Sequence, residues 1–309
     1  MNYRVLGKTG LSVSTLSFGA SSLGSGFRQI DEAEGIETVH LAVDLGMNFI
    51  DVSPYYGLTT AETILGRALK EISRDRYYLA TKVGRYGDAS FDFSADRVTR
   101  SVDESLSRLG IDYIDLIQCH DIEFGSIDQV VEETIPALER LREVGKVRFI
   151  GITGLPLKIF RDVVEQTEID TILSYCRYSL NDTALEDLLP LFKEKNVGII
   201  SASPLSMGLL TKRGAPDWHP APADIREHCA RAAQLCEERG TELAKLALQF
   251  ALANEEIQTT LVGTASPSNL KRNVDWIEEA IDQDLLSEVE ETLRPIKNAT
   301  WPSGRPENN

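Results

Sequence analysis

The chain has 309 residues, enough to bury one large α/β core or two ordinary ones. Its hydrophobic share of 42% and charged share of 26% match a soluble globular protein, and a formal net charge of −16 argues against a nucleic acid or an anionic membrane surface as partner. Four cysteines without CxxC spacing, and a start with no basic segment leading into an apolar run, predict a reduced, cytoplasmic protein without a signal peptide.

In chain order, residues 3–5 and 11–13 flank Gly7-Lys8-Thr9-Gly10, a hairpin signal. Residues 16–18 read as a first strand. Over 31–45, Ile36, Val39, His40 and Val43 recur at helical spacing, with Asp31 placed to cap and Gly46 to stop the helix. Further strands are expected at 48–51, 78–82, 114–120, 149–153, 171–174, 197–201 and 260–262. Helices are expected between them, around 60–70, 94–109, 126–144, 157–166 and 183–195. Ser94 and Ser126 can cap two of these, the latter with Gln129 at capping-box spacing; Gly110 and Gly145 follow two helices. Residues 211–224 hold Pro216, Pro220 and Pro222 and read as the loop after strand seven, where phosphate-binding elements often lie. A last helix is expected at 284–296, before a tail. Eight strands with intervening helices and no Pro/Gly/Ser-rich linker predict one closed (β/α)8 barrel over residues 1–309, with an N-terminal hairpin and an added C-terminal helix and tail. Nothing in the sequence specifies an oligomeric state.

Asp51, Lys82 and His120 each close one of these strands, and Tyr56 lies just beyond the second. A barrel of this type spends about 30 residues per unit and gathers its chemistry at the C-terminal strand ends, so consecutive strands would aim all four side chains at one cavity. A carboxylate, a phenol, an ammonium and an imidazole together are parts for proton transfer. A phenol with an ordinary pKa near 10 is a poor base at neutral pH, so an adjacent charged Lys82 is expected to lower that of Tyr56, with Asp51 holding Lys82. His120 would position the reacting oxygen. A metal-dependent hydrolase would want several histidines at strand ends, and only His120 is so placed; no metal site is expected.

Asp51-Val52-Ser53-Pro54-Tyr55-Tyr56-Gly57 resembles the D-x-x-x-x-Y-G signature of the aldo-keto reductases. Lys82, His120 and the opening Leu6-Gly7-Lys8-Thr9-Gly10-Leu11 also fall where that family has its lysine, histidine and hairpin, and the resemblance covers the whole chain. It implies an extended nicotinamide dinucleotide across the barrel mouth; GxGxxG is absent. The implied cofactor contacts are Gly19, Thr153, Tyr175, Ser203, Leu205, Gly208, Leu209, Gly263, Thr264, Asn269, Arg272 and Asn273. Several positions depart from the family pattern. Gly154 stands for the asparagine of a Ser-Asn pair, Tyr175 for glutamine, and Ala202 for a stacking aromatic. Gly263 and Asn269 stand where NADP-dependent members often carry a lysine and an arginine for the 2′-phosphate, which favours NAD. Residues 120–126, 173–176, 216–220 and 298–304, with 148–156, resemble the plant-type L-galactose dehydrogenases. That resemblance implies NAD-dependent oxidation of L-galactose at C1 to a lactone, with Tyr56, His120, Phe124 and Trp301 at the sugar. Trp301 has a second reading, packing the tail onto the barrel. The alternatives are a broader L-fucose or aldose dehydrogenase and an NADPH-linked carbonyl reductase.

Overall fold

The computed structural model describes residues 1–26 and 29–309. Eight parallel strands close into a barrel: β1 (Leu16–Gly19), β2 (Phe49–Asp51), β3 (Tyr78–Val83), β4 (Ile114–Cys119), β5 (Val147–Gly154), β6 (Thr171–Tyr175), β7 (Gly198–Ala202) and β8 (Thr259–Gly263). They lie in chain order around the barrel, and β8 closes it by pairing with both β7 and β1. The expected hairpin forms from Tyr3–Val5 and Ser12–Ser14. Its apolar residues plug the barrel floor, where Leu6, Leu11 and Val13 join Phe49, Ala80, Leu116, Leu173, Ile200 and Leu261 in one buried cluster.

The expected helices form with two local differences. Asp31, Ser94 and Ser126 each accept from the backbone N–H three residues on, as N-caps do. Gln129 does not complete a capping box, because its amide donates to Glu133 instead. The expected helix at 126–144 is broken by a π-turn over Val130–Thr134, just before Pro136, which has no N–H to continue an α-helical ladder. The stretch near 183–195 begins as a 3-10 turn, Ala184–Leu188, before Leu189–Glu194.

Between β7 and β8 the structure adds what the sequence reading did not assign. Helices Ala223–Glu238 and Leu243–Ala253 follow the proline-rich loop, and Pro267–Glu278 follows β8. Ala223–Glu238 buries Ile225, Cys229, Ala232 and Cys236 in the cluster that also takes Leu285, Val289 and Leu293 of the C-terminal helix, Gln283–Leu293.

Parallel register sets the mouth. Gly19 lies opposite Asp51, Asp51 opposite Ala80, Lys82 opposite Gln118, and Gln118 opposite Gly151. Residues two apart share a sheet face. Asp51, Lys82, Gln118 and His120 therefore climb one inner wall, and Thr153, Tyr175, Ala202 and Gly263 continue the ring.

Candidate active site

The four residues read from the strand ends meet. Lys82 Nζ donates to Asp51 Oδ1 and, at 2.9 Å, to the carbonyl of Val52. Gln118 Nε2 donates to the other carboxylate oxygen at 2.8 Å. Both side chains of the ion pair are buried, Lys82 with 1% exposed. Burial pulls the ammonium of Lys82 down, but Asp51 and Tyr56 outweigh it and hold the group above its usual value. Burial pushes Asp51 up against the pull of Lys82 and Gln118; with both oxygens hydrogen-bonded, the geometry is that of an ionised pair.

Tyr56 sits 4.9 Å, ring centre to ammonium, from Lys82 and edge-on to His120 at 5.7 Å. The loop that carries it is shaped by Gly57, at φ 61: a Cβ there would lie 2.4 Å from the carbonyl oxygen of Gly24, so the glycine after the tyrosine lets two backbones touch. Lys82 pulls the phenol's pKa down, as expected, but burial outweighs that pull. Packed walls push Tyr56 up to about 12, and the opposing pull of Lys82 only partly offsets that, although part of the ring stays open to the cleft. His120 is buried and drops to about 3, first through burial, so its imidazole is neutral. Its Nδ1 meets Ser53 Oγ at 3.0 Å, and Ser53 Oγ already accepts from the N–H of Tyr55. Ser53 is free to donate to Nδ1, and the Asp121 carboxylate 3.7 Å from Nε2 favours the tautomer with its proton there.

The surrounding residues were not singled out from sequence. Ser53 lies inside the tyrosine motif, and Gln118 is two residues before His120 on the same face, so spacing alone could have found both. Asp121, at φ 50, pairs with Arg85 at 2.5 Å. Burial raises the Asp121 carboxyl, but its cationic neighbours, above all the Arg85 guanidinium that pairs with it, hold it below its ordinary value. Glu123 Oε1 accepts from Ser303 Oγ (2.9 Å), the N–H of Leu155 (3.2 Å) and Tyr175 (3.4 Å), while Oε2 is buried without a partner. Burial and then Asp121 push Glu123 up to about 8. The glycine at 154 has its explanation here: a Cβ would lie 2.6 Å from Glu123 Oε2 and 2.3 Å from Ile159.

The expected cofactor residues lie around the same mouth. Gly19 and Gly263 pair at the ends of β1 and β8. Thr153 commits its hydroxyl to Asp121, accepting from its N–H at 2.9 Å and donating to its carboxylate at 3.3 Å. Beyond β7 the chain curls through positive φ at Ser203, Ser206, Met207 and Gly208, around half-buried Leu205. The side chain of Leu209 is buried in the helical cluster. Thr264 Oγ1 accepts from the N–H of Ser266, which leads into Pro267–Glu278. On that helix Asn269 is exposed and Asn273 is buried. Arg272 donates to Asn269 at 3.0 Å, lies 3.6 Å from Glu242 and covers Trp276; Lys271 pairs with Asp275 at 2.9 Å.

Phe124 stacks on Phe91 at 4.4 Å beside Arg85. The packing alternative describes Trp301: 7% exposed, it meets His219 edge-on at 4.8 Å among Leu209, Leu210 and Ile225.

The aldo/keto reductase family model matches residues 15–294. The L-galactose dehydrogenase of Arabidopsis thaliana is 54% identical, the match covering 97% of each chain. The D-arabinose 1-dehydrogenase of Saccharomyces cerevisiae is 34% identical over 96% of this chain and 95% of its own. Among solved structures, the holo form of an aldo-keto reductase from Bacillus halodurans is 30% identical, with a TM-score of 0.80 and 98% of both chains covered.

Proposed function

The chain belongs to the aldo/keto reductase family, and from that premise we propose that it oxidises L-galactose at C1 to L-galactonolactone with NAD. The observation that carries the reading is Asp51, Lys82, Tyr56 and His120 gathered at one barrel mouth, in a chain 54% identical to a plant L-galactose dehydrogenase. Tyr56 accepts the proton of the C1 hydroxyl, and Lys82, kept charged by Asp51, favours the phenolate that must form. Neutral His120 donates from Nε2 to the C1 oxygen and fixes its position. When bound, the oxidised dinucleotide supplies the hydride acceptor.

The residues present fit an extended dinucleotide. The curled backbone from Ser203 to Gly208 forms a concave turn of the kind that takes phosphate oxygens, and Tyr175, tethered to Glu123, offers a ring at the mouth. Gly263, Thr264, Asn269 and Asn273 surround the start of Pro267–Glu278, a place for the adenosine end. NAD over NADP is supported by the charges nearby: Arg272 and Lys271 are already engaged by Glu242 and Asp275. A doubly charged 2′-phosphate would compete for cations that are spoken for. Four buried free thiols support a cytoplasmic setting.

One observation favours a broader aldose range, the similarity to a D-arabinose 1-dehydrogenase. D-arabinopyranose has the ring stereochemistry of L-galactose without C6. The test is initial rates with L-galactose, L-fucose and D-arabinose, each with NAD and with NADP. NADH formed fastest from L-galactose supports the proposal. Equal efficiency with all three sugars moves the chain to the broader class, and faster NADP reduction overturns the cofactor assignment.

A further inference from the structure

Immediately beyond His120 the chain builds a second polar device that the proposed proton transfer leaves unused. Asp121 takes left-handed φ, which short polar side chains tolerate, and its carboxylate lies 3.7 Å from His120 Nε2. Arg85 reaches it at 2.5 Å from just past β3, one strand away. The guanidinium lies 3.8 Å from the ring centre of Tyr55, and 5.3 and 5.5 Å from those of Phe91 and Phe124. Arg85 keeps 16% of its side chain open, and its Nε is buried without a partner. An ion pair this dry adds little net stability, because the desolvation of two charges offsets their attraction. What it provides is a fixed acceptor and a fixed donor fork beside the atom that would hold the reacting oxygen.

In an aldopyranose, the hydroxyl next to the reacting one is on C2, a hydrogen-bond length from O1. The His120 Nε2 and Asp121 carboxylate, 3.7 Å apart, are close enough to face two neighbouring oxygens, one each. Resting on the reading of this site as one that oxidises an aldose at C1, we infer that the Asp121–Arg85 pair reads the C2 hydroxyl. Asp121 accepts from it and Arg85 donates to it, while Tyr55 and the Phe91–Phe124 stack hold the guanidinium in plane. Both are specificity residues; neither takes the substrate proton.

The test is a cycle of two sugars against three proteins. kcat/KM is measured for L-galactose and 2-deoxy-L-galactose with the unmodified chain, Asp121→Asn and Arg85→Lys. NADH binding, read by protein fluorescence, reports that each variant folds and loads. In the unmodified chain, deleting the hydroxyl leaves buried polar groups unpaired and should lower kcat/KM about thirtyfold or more. In either variant both sugars slow, but the ratio between them should contract to about fivefold or less. A pair that only pins two loops would slow both sugars alike, and a ratio unchanged in the variants overturns the inference. Should one variant fail to fold, the other carries the cycle. No oxidation of L-galactose by the unmodified chain removes the premise, and the inference with it.

Discussion

Tyr56 is the residue on which the proposed chemistry turns, and its environment works against it. Burial holds the phenol near 12, so Lys82 is what keeps the phenolate within reach at all. Tyr56→Phe should lower kcat by at least about a hundredfold, the usual cost of losing a general base, with NADH binding retained; near-unmodified turnover would remove Tyr56 from that role. Lys82→Met takes away the main downward pull, so the pH at which oxidation reaches half its maximum should move up. A lower rate with an unmoved pH profile would make Lys82 a shaping residue only. At this scale the sequence was legible where spacing carries the information. Asp51, Lys82 and His120 mark strand ends, and the parallel register brings them together. The direction of the phenol's shift was not legible, because it depends on how tightly the walls pack. Nor were Arg85 and Glu123: the partner of one depends on a left-handed turn at Asp121, and the place of the other on a missing Cβ at Gly154.

Two elements around the mouth carry predictions of their own. The first is the turn from β8 into Pro267–Glu278. Gly263→Lys with Asn269→Arg should strengthen NADP binding, by at best about 1.5–3 kcal/mol per new charge-assisted hydrogen bond. A Cβ at Gly263 would lie 3.3–3.4 Å from the hydroxyls of Ser21 and Ser22 and the carbonyl of Gly19, a tight fit that the serine hydroxyls can relieve by rotating and the Gly19 carbonyl only by a small backbone shift. If the unmodified chain already binds NADP better than NAD, Arg272 or Lys271 leaves its present partner and this account of the turn fails. The second element is the tail. Chain ends usually fray, yet Asn308 is buried and donates to the carbonyls of Glu123 (2.8 Å) and Gly125 (3.1 Å), while the N–H of Arg305 donates to Glu123 at 2.9 Å. The side chain of the same residue, Glu123, reached from the tail by the Ser303 hydroxyl, is pushed up to about 8 in the folded chain, against 4.5 when free. The folded state thus keeps a proton that the unfolded chain releases first. The associated stability is complete below about pH 4.5 and is lost as pH rises toward 8. Glu123→Gln removes that loss, so the Tm of the variant minus that of the unmodified chain should grow across this window. A difference that stays constant with pH would mean that Glu123 is already ionised.

At the scale of the whole molecule, the barrel followed from eight apolar segments separated by capped helices, and the β-strand order confirms the closure. The helices after β7 escaped the sequence reading for a physical reason. Ala223–Glu238 is rich in alanine and charge, and its apolar stripe has meaning only against elements that come later in the chain, Leu243–Ala253 and Gln283–Leu293. The proline-rich loop before it masked the start of a helix that has no side-chain cap. The barrel holds the tetrad and the Asp121–Arg85 pair on neighbouring strand ends, with Tyr56, His120 and Arg85 the groups placed toward a sugar in the proposed reading. A pocket that pairs with several hydroxyls rejects a mirror-image ring, since each misplaced hydroxyl leaves a buried partner unpaired, at about 1–3 kcal/mol each. The most direct measurement is therefore kcat/KM with NAD for L-galactose against D-galactose. The account predicts L-galactose ahead by orders of magnitude; equal values for the two enantiomers would contradict it.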